Sequence, residues 1–165
     1  MGIFGKYFTW MKAKCLEVNK IAKIEPYLIF EGNCERAFIF YKSVFGGDFT
    51  SISKFKDAPP QKGMELDEKY KERIMHMALP IGKETVLMGS DAPKQGGKIK
   101  FGDNVSISVQ IDSEDETNRI FNKLSKGGRV KMPLSKTFWN AYFGMCVDKF
   151  GIHWMVNYSY ERGKK

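Results

Sequence analysis

One order of elements occurs twice in this sequence, and that repeat limits the folds open to the chain more than any other feature. Glu25–Gly32 alternates and is rich in Tyr, Ile and Phe, which predicts a strand. Asn33 stands where a helix N-cap belongs. Cys34–Val44 then places Ala37, Phe38, Phe40, Tyr41 and Val44 at helical spacing before Gly46-Gly47 stops it. Strands are predicted at Asp48–Phe55, Arg73–Pro80 and Glu84–Ser90, the last two joined by a tight turn at Ile81-Gly82-Lys83. Lys56–Glu72, a polar stretch with Pro59-Pro60, reads as a loop long enough for a flap or a disordered excursion. After the Gly-rich link Ala92–Asn104 the order begins again. A strand at Val105–Asp112 leads to a helix at Glu114–Lys126, capped by Ser113 with Glu116 three residues on. Strands follow at Arg129–Ser135, Phe138–Val147 and His153–Tyr160. Strand–helix–three strands, performed twice, yields two one-sided sheets that bury their apolar faces best by pairing.

Composition admits such a core. The chain has 165 residues, 42% hydrophobic and 14% aromatic, which excludes disorder, collagen-like repeats and low complexity as whole-chain readings. The net charge of +8 is concentrated at the ends. Residues 1–23 hold five lysines against one glutamate, and Glu161–Lys165 holds three basic residues against one acid. A nucleic-acid-binding face needs its bases on folded elements, so no nucleic-acid partner is expected. Cys15, Cys34 and Cys146 form no CxxC pair, which fits a reducing, cytoplasmic protein rather than a disulfide scaffold or zinc knuckle. No apolar run reaches the ~18 residues needed to span a bilayer. MGIFGKYFTWMKAK mixes aromatics with lysines without the apolar core of a signal peptide. It reads as an extension outside the domain, and membrane contact by residues 1–20 is not expected.

Two segments carry a family likeness. One is Pro26-Tyr27-Leu28-Ile29-Phe30-Glu31-Gly32-Asn33-Cys34, followed by Ala37 and Phe40-Tyr41. The other is Thr137-Phe138-Trp139-Asn140-Ala141-Tyr142-Phe143-Gly144, then Val147-Asp148-Lys149-Phe150-Gly151 and Trp154-Met155-Val156-Asn157. Together with the element order, they resemble the PhnB-like branch of the glyoxalase/bleomycin-resistance/dioxygenase (vicinal oxygen chelate) superfamily, whose members often carry the label 3-demethylubiquinone-9 3-methyltransferase-like. The likeness runs from about Ile24 to Tyr160. It implies an α+β fold of two βαβββ modules, with mixed sheets curled around a concave pocket, helices outside, and a homodimer. The expected organisation is an extension over 1–23, modules over 24–91 and 105–160 joined by a linker over 92–104, and a basic tail over 161–165. The methyltransferase label finds no support in the residues: Gly96-Gly97 lies between lysines, without the preceding strand that a cofactor-holding glycine loop needs.

In metal-using members of that superfamily, four strands each supply a His or Glu. Carried onto this sequence, those positions fall near Pro26 and on His76, Ser106 and Met155. One usable ligand in four does not hold a divalent ion, so neither metal nor cofactor is expected. His153, two residues from Met155, is the only other imidazole available.

Alternation supplies an independent reading. Val105, Ile107, Val109 and Ile111 should lie under a helix, with Ser106, Ser108 and Gln110 on the opposite face. His153, Met155 and Asn157 should oppose Trp154, Val156 and Tyr158. Ile74, His76 and Ala78 should oppose Met75, Met77 and Leu79. Neutral hydrogen-bonding groups mixed with Met and Ala suit a cavity wall better than a solvated face. His76, Ser106, Ser108, Gln110, Trp139, His153, Met155 and Asn157 are therefore the candidate ligand-binding residues, although a semi-buried His76 and a core or interface Trp139 are the plainer readings. The expected function is metal-independent binding of a small hydrophobic or aromatic molecule. The alternative is a divalent-metal-dependent lyase, isomerase or dioxygenase using His76. A third possibility is an interaction module acting through residues 1–20. No nucleophile–base motif or phosphate-cradling loop is present, and no catalytic residue is assigned.

Overall fold

Apolar residues recur at every second position between the turns, and those stretches form eight strands. A computed structural model describes residues 23–59, 66–94 and 97–161. In the first half, β1 (Tyr27–Phe30), α1 (Cys34–Phe45), β2 (Ser51–Lys54), β3 (Ile74–Ile81) and β4 (Thr85–Asp91) form a mixed sheet in the order β1-β4-β3-β2. A 3-10 turn (Phe55–Asp57) and a short α2 (Glu68–Lys71) lie between β2 and β3. In the second half, β5 (Ile107–Ile111), α3 (Glu114–Ser125), β6 (Arg129–Lys136), β7 (Ala141–Val147) and β8 (His153–Ser159) form a second sheet, β5-β8-β7-β6. In each sheet the first strand runs parallel to the last, and the other pairs are antiparallel. The helix after the first strand carries the chain across to allow that parallel pairing. This is the α+β, twice-βαβββ fold that the sequence predicts.

Each helix buries one stripe. α1 buries Cys34, Ala37, Phe38, Tyr41 and Val44, and α3 buries Thr117, Ile120, Phe121 and Leu124, both at spacings of three and four. α1 packs mainly on β3 and α3 on β7 and β8, and the two helices meet each other. Arg119 and Lys123 of α3 donate to the carbonyls of Val44 and Ser43 at the end of α1. The two halves thus share one core that runs from Phe30, Phe38 and Leu87 to Phe121, Trp154 and Val156.

Two buried aspartates fasten this core. Asp148 Oδ2 accepts from Tyr41 Oη and from Trp154 Nε1, both at 2.8 Å. Its Oδ1 accepts from the amides of Phe150 and Ile152. Asp91 Oδ1 accepts from the amides of Gly32 and Cys34, and Oδ2 from that of Ile74. Both carboxylates are buried, so their charge rests on these donors.

Local details depart from the sequence expectations. Ser113 caps α3 as predicted, its Oγ accepting from Glu116 N–H. Asn33 makes no side-chain cap at α1, where Asp91 supplies the acceptor instead. Met75 is a bulge residue: Ser53 pairs with His76 and Lys54 with Ile74, so Ile74 turns into the core and leaves the His76 face. Val105 and Ser106 precede β5, and Val105 is 71% exposed rather than under a helix. The stretch Lys56–Glu72 is no simple excursion, because Tyr70 is buried and its hydroxyl donates to Ala92 O. Residues 60–65 of that stretch, Cys15 and the extension 1–22, and the tail residues 162–165 lie outside the described residues. Among the described residues no helix is long and apolar enough to cross a membrane.

Two substitutions test this packing. Asp148→Ala strands four donors at the seam and should lower unfolding stability by on the order of 3–5 kcal/mol, whereas Tyr41→Phe should cost about 1–2 kcal/mol. Urea unfolding measures both, and an Asp148→Ala midpoint equal to the parent's contradicts the seam assignment. A Cβ at Gly89 would stand 2.6 Å from Phe38 Cε2 and 2.8 Å from the Leu28 carbonyl oxygen. The backbone oxygen cannot move aside as a side chain can, so Gly89→Ala should destabilise by about 1–3 kcal/mol in the same assay.

Candidate functional site

Strand alternation divides each sheet into a face on the shared core and a face turned away from it. On the first sheet the core side takes Leu28, Phe30, Met77, Leu79 and Leu87. The outer side takes Tyr27 and Ile29 of β1, Met88 and Ser90 of β4, His76 and Ala78 of β3, and Ser53 of β2. Tyr27 reaches across this face to His76. Their rings lie 5.9 Å apart, and Tyr27 Oη is 3.4 Å from His76 Nδ1, a long contact for a hydrogen bond.

On the second sheet, Trp154, Val156, Cys146 and Val109 face the core. The outer side carries Ser108 and Gln110 of β5, His153, Met155 and Asn157 of β8, and Phe143, Met145 and Val147 of β7. Asn157 Nδ2 donates to Gln110 Oε1 at 2.7 Å, and Gln110 Nε2 lies 3.4 Å from Ser108 Oγ. Met155 sits between Ser108 and Met145 in the register. Trp139, in the β6–β7 turn, is 50% exposed and packs edge-on against Phe143 at 6.0 Å. Phe138 belongs to that turn rather than to a strand, and Asn140 takes a left-handed φ of 61° there.

The structure therefore brings Ser108, Gln110, Met155, Asn157, His153 and, through Phe143, Trp139 onto one outer face. His76 stands on the other sheet. Ser106 precedes β5 and makes no side-chain bond among the described residues. Because the helices pack on each other and on the sheets, the faces carrying His76 and His153 are both turned away from the shared core. The two faces lie on separate four-stranded sheets. A groove of about 560 Å³ lies at the seam, where β5 passes the β3–β4 turn. It takes in Ser108 and Gln110, but its floor is apolar: Ile107, Val109, Ile111, Leu87 and Trp154. Alternation alone assigns faces; it does not tell which face a neighbouring module covers.

The donor chemistry does not suit a divalent ion. No group of three or more His, Cys, Asp or Glu is clustered among the described residues. Beside His76 stand a phenol, thioethers and hydroxyls. Beside His153, Lys131 Nζ lies 3.4 Å from Nδ1, placing a cation at one of its two ring nitrogens. Nor is the β1–α1 turn free to cradle a cofactor, since the Gly32 and Cys34 amides are taken by Asp91. The two described thiols, Cys34 and Cys146, are equally quiet. Burial, then the nearby Asp91 and Glu35, raises Cys34 far above an ordinary thiol. Burial and Asp148 push Cys146 up to about 11. Burial, then the Asp148 carboxylate, likewise raises Tyr41 well beyond a free phenol. Asp91, Asp148 and the cleft around Arg73 escaped the sequence reading; the Asp148-Lys149-Phe150-Gly151 turn signalled the position of Asp148 but not its burial.

Comparisons with known proteins agree with this architecture. The sequence model of the 3-demethylubiquinone-9 3-methyltransferase family matches residues 22–157. The crystal structure of protein PA1353 from Pseudomonas aeruginosa superposes with a TM-score of 0.72 at 41% identity, covering 84% of this chain and 98% of that one. The PhnB protein from Bacillus cereus gives 0.67 at 27% identity, covering 84% and 100%. Protein YjdN of Escherichia coli is 28% identical over 81% of this chain and 93% of its own length. The manganese-bound fosfomycin resistance protein FosX of Listeria monocytogenes, at 13% identity, TM-score 0.56 and coverage of 87% and 97%, shares the fold alone.

The thiol environments predict a labelling pattern. In the native protein at pH 8, Cys34 and Cys146 should resist iodoacetamide and react only once urea unfolds the chain, read by peptide mass spectrometry. The raised Cys146 favours folding below the ordinary thiol range, and that contribution is lost as pH climbs toward 11. Rapid native labelling of both thiols contradicts their burial.

Proposed function

The chain belongs to the 3-demethylubiquinone-9 3-methyltransferase (PhnB-like) family, within the glyoxalase/bleomycin-resistance superfamily, and from this premise we propose that it binds a small hydrophobic or aromatic molecule, without a metal, as a homodimer. The ligand lies between the His76 face of one copy and the Asn157 face of its partner.

One observation supports this reading: the candidate residues other than Ser106 stand on two faces that the chain's own core leaves uncovered. Those faces expose more apolar surface than solvent favours, with Tyr27 at 46%, Ile29 at 47% and Trp139 at 50%. They pair that surface with uncharged donors and acceptors, chiefly Ser108, Gln110 and Asn157. Aromatic walls with a few placed polar groups recognise apolar ligands that carry one or two polar atoms. β1 and β5 are free strand edges in their sheets, which gives a second copy a backbone rail to align on. The residues at hand suit ligand binding rather than acid–base or nucleophilic chemistry, because neither histidine has a carboxylate or thiol beside it.

Four measurements test the proposal. Light scattering at micromolar concentration should give twice the chain mass of 18.9 kDa. Elemental analysis should find no stoichiometric divalent metal, before or after incubation with Zn, Ni, Mn and Fe. A thermal-shift screen of aromatic compounds should yield hits whose binding falls about tenfold in His76→Ala and in Asn157→Ala, which corresponds to roughly 1.4 kcal/mol. Mixing those two variants should restore one intact site in each mixed dimer, half the number in a parent dimer, whereas each variant alone regains none. A monomer sinks the shared site, and a stoichiometric metal lost in His76→Ala replaces this reading with the metal-dependent enzyme.

A further inference from the structure

Beyond the outer faces, at the carboxyl ends of β1 and β4, an open cleft of about 440 Å³ is lined by Glu31, Tyr70, Arg73, Lys94 and Lys98 among others. We infer that it is an oxyanion-binding site organised by Arg73, which takes the carboxylate or phosphate group of a small organic acid or phosphate ester. This site is separate from the faces invoked above and does not depend on them.

Arg73 is held from three sides. Its guanidinium carbon lies 4.9 Å from the centre of the Tyr70 ring. Tyr70 is itself fixed, being buried, with its hydroxyl on the Ala92 carbonyl and its amide on the Asp67 carboxylate. On the other side lies Gly32, at φ 87°. A Cβ there would stand 3.2 Å from Arg73 Cζ and 3.3 Å from Nε. Glycine thus serves twice at this position, by its left-handed backbone and by leaving room for a guanidinium. The backbone of Arg73 is pinned as well: its amide donates to Tyr70 O, and its carbonyl accepts from Phe55 N. A guanidinium in contact with both a ring and a peptide has less freedom than an ordinary surface arginine, so less rotamer entropy remains to be lost on binding.

The fork has no acceptor among the described residues to satisfy it. Among the described residues its nitrogens make no side-chain hydrogen bond and no ion pair within 4.0 Å. The two acids of the cleft are occupied elsewhere. Glu31 Oε1 accepts from Ile99 N at 2.7 Å. Asp67 caps Tyr70 N, and its other oxygen lies 3.3 Å from Lys94 Nζ. Both carboxylates therefore have partners of their own, while among the described residues Arg73 and Lys98 have none. Three of the side chains lining the cleft are basic and two acidic, and the two acids are already paired, so the wall presents free cationic donors to an arriving anion. The buried Asp91 carboxylate does not use this charge in hydrogen bonding, since three backbone amides serve it. A planar fork of this kind accepts two oxygens of one carboxylate or phosphate at once, which a lysine cannot do.

The test is an NMR titration of the full chain with inorganic phosphate, and separately with sodium benzoate, against sodium chloride at matched ionic strength. Saturable shifts of the Gly32, Tyr70, Arg73 and Ile99 amides are expected with phosphate or benzoate but not with chloride. The anion that binds more tightly identifies the source as a phosphate ester or a carboxylic acid. Arg73→Gln should weaken binding by more than tenfold. Arg73→Lys keeps the charge but loses the fork, and should still weaken it about fivefold; Lys98→Gln should weaken it about threefold. Shifts no larger than with chloride, or an Arg73→Lys affinity equal to the parent's, overturn the assignment. Should Arg73→Gln fail to fold, the parent and Arg73→Lys titrations decide it alone.

Discussion

Asp148 governs the arrangement of this molecule more than any single apolar contact does. Its carboxylate is buried at the junction of the two halves and must be met by donors, because leaving even one oxygen bare in a dry core costs several kcal/mol. Two donors come from the β7–β8 turn itself, the amides of Phe150 and Ile152, which freeze the turn. The third is the indole of Trp154 in β8, and the fourth is the phenol of Tyr41 in α1. The last of these crosses between modules. It fixes the first helix against the core face of the second sheet, with the Tyr41 and Trp154 rings 5.5 Å apart. Once that contact is made, the helix-bearing sides of both sheets lie together and their other sides can only face outward.

Asp91 does the corresponding work inside the first half, in a different way. It lies at the end of β4 yet holds the β1–α1 turn and the start of β3, so it ties three separated stretches of chain through their amides. The helix N-terminus gains its acceptor from a neighbouring strand rather than from the adjacent Asn33. The same bonds use up the amides that a nucleotide-type cofactor would need, so the methyltransferase wording of the family label finds no anchor in this turn. They also set Gly32 in its left-handed conformation beside Arg73, which links the internal fastening of the module to the basic cleft at its end.

Much of this was legible in the sequence, and the parts that were not have physical reasons. Periodicity located every strand and both long helices, and it assigned Trp154 and Val156 to one face and His153, Met155 and Asn157 to the other, because an uninterrupted strand keeps its alternation. Ile74 was misassigned because a bulge at Met75 resets the phase, and no residue type there announces it. Asn33 was read as a cap because propensity counts neighbours in sequence, whereas Asp91 lies 57 residues from the amide it caps. Val105 was placed under a helix on pattern alone, though β5 begins two residues later. Alternation identifies two faces of a sheet, but which one meets the rest of the chain depends on contacts such as Tyr41 to Asp148, which span 107 residues. The pinned Arg73 was invisible for the same reason, since its cradle joins Gly32 and Tyr70 across the module.

The two outer faces differ in chemistry, and that difference constrains how copies can meet in the proposed dimer. The first is aromatic and aliphatic around one imidazole; the second is an amide–hydroxyl ladder flanked by thioethers and an indole. If like faces met, first on first, the second faces would stay bare and would invite further copies into an open chain. If unlike faces meet about a two-fold axis, the first face of each copy covers the second face of the other, and one association buries all four. Each resulting cavity then has an apolar wall and a hydrogen-bonding wall, which a ligand with a ring and a single polar substituent matches on both sides. In the proposed dimer, the Asp148 seam that turns the faces outward would make a closed pair the smallest complete unit for binding.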